Sequence, residues 1–305
     1  MMMNLIVITG PTGVGKTELC LQIAEYYGCD IINADSRQIF KEIPIGTAAP
    51  TASQQQRVRH YFVGSHSLTD YYSASEYEQD VLGLIDDLSA KDGRVGQTVL
   101  LSGGSMMYID AVCNGIDELP TVPDDLRNGL KQRLADEGLE ALVEQLRELD
   151  PDYWQEVDKQ NPRRILHALE ICYLTGKTYS SLRIGERKSR PFNIIKIGVT
   201  RPREELFARI NQRVLEMVEQ GLEKEARSVY HLRDLNSLNT VGYKEMFAYF
   251  DGKIPFEEAV RQIQSNTRHY AKKQLTWYKR DAEMAWFAPE NVKEIIKYID
   301  SRLKK

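Results

Sequence analysis

Gly10, Gly15, Lys16 and Thr17 occupy the fixed positions of G-x-x-x-x-G-K-[ST] in "GPTGVGKT", residues 10–17. Glycines at that spacing let successive backbone N–H groups converge on phosphate oxygens, and the Lys16 ammonium adds a positive charge. Pro11, Thr12, Gly13 and Val14 complete the loop, and a hydroxyl at Thr17 is of the kind that ligates Mg²⁺. Such a loop works only between a strand and a helix. The apolar, β-branched "NLIVIT" precedes it, and in "TELCLQIAEYY" Leu19, Leu21, Ile23, Ala24 and Tyr27 fall roughly at helical spacing.

The same loop serves ATP and other nucleotides, and chains that split them commonly hold the metal with an Asp at the end of another buried strand. The strand expected in "QTVLLSGGSMMY", residues 97–108, instead runs into Ser102, Gly103 and Gly104 with no acid. The acid stands elsewhere, in "CDIINADSRQIF", where the apolar run Ile31 to Ala34 ends in Asp35. In an open parallel sheet ligands collect at the carboxyl ends of the strands, so Asp35 is expected on the same rim as the cradle. A carboxylate there, off the usual metal strand, reads as a general base. Asp is also a favoured helix N-cap, so this residue alone leaves both readings open.

Positioning these groups takes an α/β core, a P-loop NTPase-like parallel sheet with C-terminal helices. Strands are expected near 4–9, 29–33, 97–102 and 193–200, and helices near 16–27, 74–90, 105–113, 203–219, 222–232 and 255–281. From 116 to 191 the pattern turns almost wholly helical, broken by "LPTVPDD", "ELDPDYW" and "KQNPRRI", where Pro and Asp mark turns and caps. That block reads as an inserted helical subdomain, leaving 1–115 and 192–305 as the catalytic core. "GERKSR" reads as a basic linker.

A chain of 305 residues with 42% hydrophobic content builds a sizeable core. No apolar run approaches the roughly 18–20 residues of a membrane span, and "MMMNLIVIT" reads as the first strand rather than an address label. Cys20, Cys29, Cys113 and Cys172 form no C-x-x-C pair and read as buried free thiols of a cytoplasmic protein. The five histidines show no metal-ligand spacing.

Net charge is −4, mildly against nucleic acid, but its distribution points the other way. Residues 124–160 carry 11 acids against 5 bases, whereas 161–190 carry 7 bases against 2 acids. Residues 261–280 hold 6 bases, Arg268, Lys272 and Lys273 among them, and no acid, with Tyr270, Trp277 and Tyr278 interleaved. That helix reads either as a backbone-binding face for RNA or as a solvated helix anchored by its aromatics.

Together "GPTGVGKT", "INADSRQIF", "IGTAAP", "SGGSMMY", "NPRRILHALE", "TVGYKE" and "NTRHYAKKQLTW" resemble, in order and approximate spacing, the tRNA dimethylallyltransferases. The resemblance spans nearly the whole chain and follows the bacterial form, since no zinc-finger spacing follows the basic helix. It implies transfer of the five-carbon group of dimethylallyl diphosphate to N6 of adenosine 37 in tRNAs reading codons that begin with U, with diphosphate as leaving group. Residues 10–17 would hold that diphosphate with Mg²⁺, Thr12 would contact it near the breaking bond, and Asp35 would take the N6 proton. Ser36, Arg37 and Gln38 would recognise the target base. The anticodon stem-loop would meet Ser105, Arg127, Arg163, Arg164 and His167, with Asn239, Lys244, Arg268, Lys272 and Lys273 also on the tRNA side. A monomer is expected.

Four positions depart from the family pattern. Ala49 replaces the Lys of "IGTAKP", His167 a basic residue, and Asn239 an arginine that helps bind diphosphate in some members, leaving Lys244 or the basic helix to supply that charge. Met107 for Leu conserves volume. Two other functions share parts of the pattern. An adenylate isopentenyltransferase uses the same donor on free AMP, ADP or ATP, but needs neither the helical insertion nor the basic helix. A P-loop small-molecule kinase shares the scaffold, but the acid-free fourth motif and Asp35 count against it.

Overall fold

The computed structural model describes residues 2–91 and 98–303; Gln97, the first residue of one expected strand, lies outside the described residues. The chain divides into two compact units, 1–113 with 189–305, and 114–188.

The first unit is built on a parallel sheet of β1 (Asn4–Thr9), β2 (Ile31–Asn33), β3 (His60–Tyr61), β4 (Thr98–Gly103), β5 (Asn193–Val199) and β6 (Ala285–Phe287), in the order β3-β2-β4-β1-β5-β6. All six residues of β1 are buried, as a central strand covered on both faces requires. Its side chains alternate between two cores. Ile6 and Ile8 pack with α1 (Lys16–Tyr27) and α13 (Val292–Asp300), whereas Leu5 and Val7 pack with α3 (Ala74–Lys91) and α4 (Met106–Asn114). The result is a sheet with helices on both faces, the expected class. β3 and β6 are additional edge strands, too short for a period-2 pattern to announce them.

A third core joins α9 (Arg203–Glu219), α10 (Leu222–Ser228), α11 (Tyr243–Phe250) and α12 (Phe256–Tyr278) to the loop around Ile39 and Ile43. The short α2 (Ala52–Arg57) starts from a Thr51–Gln54 capping box.

The second unit contains α5 (Asp124–Leu149), broken at Gly138 where φ is 83°, then α6 (Pro151–Glu156), α7 (Pro162–Thr175) and α8 (Tyr179–Leu182). It has its own core, including Leu130, Leu142, Leu146, Ile165 and Leu169. The fully buried Asp150 carboxylate accepts bonds from the Tyr153 N–H (3.0 Å), the Ser180 N–H (2.7 Å) and the Ser180 hydroxyl (2.7 Å), which satisfies its charge.

The boundaries fall at 114 and 188 rather than 116 and 191 because "GERKSR" does not end as a linker. Arg190 is buried in the first unit, donating to Glu78 (2.5 Å) and to the carbonyls of Ala111 (2.6 Å) and Val112 (2.9 Å). Phe192 joins the core beside α4.

Candidate active site

Strand order decides what can meet. β2, β4 and β1 are adjacent and parallel, so the loops leaving their carboxyl ends line up on one rim as Asp35, then Gly103–Ser105, then residues 10–17. At about 4.8 Å per strand, two steps separate the Asp35 loop from the cradle by about 10 Å.

The cradle closes as its glycines demand. Gly10, Gly13 and Gly15 have φ of 155°, 80° and 104°, and a Cβ on Gly10 would lie 2.4 Å from the Val199 carbonyl oxygen. Gly15 is the N-cap of α1, so the first-turn N–H groups of Lys16 and Thr17 have no intrahelical acceptor and face the loop. The Lys16 ammonium folds back, donating to the carbonyls of Gly10 (2.8 Å) and Pro11 (2.9 Å). Burial, reinforced by repulsion from Arg213, pulls its pKa down to about 8. Below it, burial pushes the Cys20 thiol up to about 11, so Cys20 is a neutral hydrogen-bond donor to Ser102 and not a nucleophile.

Arginines from outside the motif grip the loop. On α9, Leu206, Ile210, Arg213 and Val214 follow i, i+4, i+7, i+8, so Arg213 sits within the buried stripe. Its Nη1 donates to the Thr12 hydroxyl at 3.1 Å, and burial lowers its pKa. One turn earlier Arg209 donates to the Gly13 carbonyl (3.0 Å), and Arg201, before α9, donates to that of Val14 (2.6 Å). None of the three belongs to the motif, and Arg213 in an apolar stripe was the readable signal.

Asp35 caps a turn at residues 36–39, and no helix follows it. Oδ1 accepts the N–H groups of Arg37 (3.0 Å) and Gln38 (3.4 Å), which fixes the turn, while Oδ2 lies 3.3 Å from where a Cβ on Gly104 would stand. One carboxylate oxygen thus holds the loop, and Asp35 lines the pocket at the cradle. Ser36 and Ser105 bond each other, Ser105 Oγ accepting the Ser36 N–H (2.7 Å) and donating to its hydroxyl (2.9 Å). Gln38 Nε2 donates to the carbonyls of Thr47 (3.0 Å) and Ala48 (3.1 Å), tying the Asp35 loop to "IGTAAP". That second loop is anchored by Glu225, which accepts the N–H groups of Ile45 (2.7 Å) and Gly46 (2.8 Å) and the hydroxyl of Tyr243 (2.6 Å). Two motifs far apart in the chain meet here: a Cβ on Gly46 would stand 2.4 Å from the Tyr243 hydroxyl.

One open pocket of about 1470 Å³ joins these parts. Its walls include Lys16, Arg37, Arg209, Arg213 and Lys244 against the acids Glu18, Asp35 and Glu216, an excess of cations suited to a polyanion. Asn239 and Lys244 also line it, both solvent-exposed, and Ala49 leaves its part of the wall uncharged. Thr17 is exposed at the cradle, and among the described residues no group of three His, Cys, Asp or Glu could hold a metal. A single hydroxyl fits Mg²⁺ carried by phosphate oxygens and water rather than by a protein cage.

The basic helix mixes core anchors with exposed bases. Trp277 donates to Asp110 (2.8 Å) and Tyr278 is buried, so both are core anchors. Tyr270 lines the pocket and Lys273 is exposed, while Arg268 and Lys272 lie 6.0 and 5.5 Å from the Phe207 ring on α9. In the second unit Arg163 and Arg164 are exposed at the start of α7. Glu170, buried on the same helix, pairs with Arg127 (3.8 Å) and lies 3.5 Å from the His167 ring. Arg163, His167 and Glu170 fall at i, i+4 and i+7, along one face of α7.

Comparison with known proteins shows the family. The model of a family described as IPP transferase matches residues 38–281. A tRNA dimethylallyltransferase 1 of Bacteroides fragilis is 55% identical over 301 residues, 99% of each chain. A tRNA dimethylallyltransferase 2 of Porphyromonas gingivalis is 59% identical over 287 residues, 94% of each. The crystal structure of the full-length tRNA isopentenylpyrophosphate transferase of Bacillus halodurans matches with a TM-score of 0.72 at 33% identity, over 98% of this chain and 96% of that one. The chain belongs to the IPP transferase family.

Proposed function

We propose that this chain prenylates tRNA, transferring the dimethylallyl group of dimethylallyl diphosphate to N6 of adenosine 37 in tRNAs reading codons that begin with U. The observation that carries this is the rim itself: a phosphate cradle and a carboxylate two strands apart, with no acid at the end of β4 between them. The names of the relatives support the same reading.

In this reading the allylic C–O bond breaks as the N6 amine attacks. The N–H groups of residues 13–17, Lys16 and Arg213 bind the departing diphosphate, whose charge grows in the transition state. Mg²⁺ at Thr17 would neutralise part of that charge when bound. Asp35 Oδ2 takes the amine proton, an assistance typically worth about 10²–10⁴-fold. Adenosine 37 must first leave its stack, at a cost of a few kcal/mol. The cations of the second unit, Arg127, Arg163 and Arg164, with His167, would grip the anticodon stem-loop, and the basic helix its backbone. No described helix is long and apolar enough to cross a membrane. We expect a cytoplasmic enzyme that acts as a monomer.

The test offers labelled dimethylallyl diphosphate to the purified protein with an anticodon stem-loop bearing A37 and, in parallel, with free AMP. Label in the RNA alone supports the proposal. Label in AMP alone would make the chain an adenylate isopentenyltransferase, and label in neither would reopen the kinase reading.

A further inference from the structure

Gln274 lies on α12 in a stripe with Ile263, Ala271 and Tyr278, and is only 1% exposed. A carboxamide among apolar side chains is costly unless both of its ends are bonded. Both are. Its Oε1 accepts the N–H of Thr12 at 2.9 Å, and its Nε2 donates to the carbonyl of Gly104 at 2.8 Å. The orientation has no alternative, because a backbone N–H only donates and a carbonyl only accepts.

The two bonded residues belong to different functional loops. Thr12 is in the cradle, and its hydroxyl receives Arg213. Gly104 stands beside the base: a Cβ there would lie 2.8 Å from Gln274 Nε2 and 3.3 Å from Asp35 Oδ2. Pairing of β1 with β4 ends at Thr9 and Gly103, so the ladder does not hold the two loops together beyond that point. Gln274 spans the gap that the ladder leaves, and the Tyr270 hydroxyl adds a longer bond to the same Gly104 carbonyl (3.4 Å).

We propose that Gln274 is a positioning residue that fixes the separation between the diphosphate cradle and the Asp35 loop. On the transfer reading above, that separation holds the allylic carbon in line with the amine that Asp35 deprotonates. An ångström of misplacement costs about 10²-fold in rate.

The test compares Gln274→Met, which keeps the volume and removes both bonds, with Gln274→Glu, which keeps the acceptor for Thr12 and loses the donor to Gly104. Turnover, donor KM, RNA affinity and thermal midpoint are measured on the full chain. The expected result is kcat lowered about 10- to 100-fold in the Met variant and at least as much in the Glu variant, whose carboxylate faces the Gly104 carbonyl and adds a charge beside Asp35, with RNA affinity and, in the Met variant, donor KM within a few-fold of wild type. Wild-type kcat in a folded Met variant would overturn the proposal, as would a kcat loss in both variants that follows only the fraction unfolded. Failure of the transfer reading would show separately, as no transfer by the wild-type protein.

Discussion

Lys16 gives the site a pH dependence that can be calculated. Its pKa is pulled to about 8 by burial, with Arg213 adding repulsion, in the free protein. A bound diphosphate supplies the missing counter-charge and raises that pKa, so binding is strongest where Lys16 is already protonated. Below pH 8 the stabilisation is present in full; above it, free protein must take up a proton to bind. At pH 7 about nine-tenths of the free lysine is charged and at pH 9 about one-tenth, so donor affinity falls about tenfold, or ~1.4 kcal/mol, across that range. Calorimetric titration of dimethylallyl diphosphate from pH 7 to 9, without acceptor, measures it. The control is Lys16→Arg, which stays charged throughout and should bind with a flat profile whatever its absolute affinity. A flat wild-type profile, or the same bend in the Arg variant, would refute the argument.

Three further outcomes follow from the geometry. Arg213→Ala should weaken donor binding by about 1.5–3 kcal/mol, roughly 10- to 100-fold, while Lys244→Ala changes it far less; the reverse order in donor KM would return to Lys244 the charge absent at Asn239. Arg190→Met removes the guanidinium that donates to Glu78 and to two carbonyls and should cost about 1.5–3 kcal/mol in urea denaturation, an outcome contradicted by a loss under about 0.5 kcal/mol. Lys272→Ala with Lys273→Ala should lower RNA affinity most at low salt and flatten the slope of log K against log salt by about 0.7–0.9 for each lysine that neutralises a phosphate, whereas an unchanged slope would make that stretch merely solvated.

The cradle was legible because its chemistry is local: "GPTGVGKT" between an apolar strand and a helix folds as such a sequence must. Asp35 was legible for a similar reason, since the carboxyl end of a buried strand fixes the rim on which it stands. The loop-gripping residues were not, because α9 and α12 reach the cradle only through tertiary packing. Arg213 and Gln274 both interrupt apolar stripes, a signal that says a polar side chain is buried but not against what. Glu225 carries no such mark; its role depends on two N–H groups almost 180 residues away in the chain. The aromatics of the basic helix left two readings open, an RNA face or core anchors, and packing took Trp277 and Tyr278 for the core.

On the proposed transfer, this phosphate cradle releases a diphosphate and transfers no phosphoryl group. A donor labelled with carbon in the dimethylallyl group and phosphorus in the diphosphate, incubated with an anticodon stem-loop bearing A37, tests it directly. Carbon label in the RNA and phosphorus label in free diphosphate are expected in equal amounts, with both reduced about 10²–10⁴-fold by Asp35→Asn. Phosphorus label in the acceptor, or undiminished transfer by the Asn variant, would contradict it.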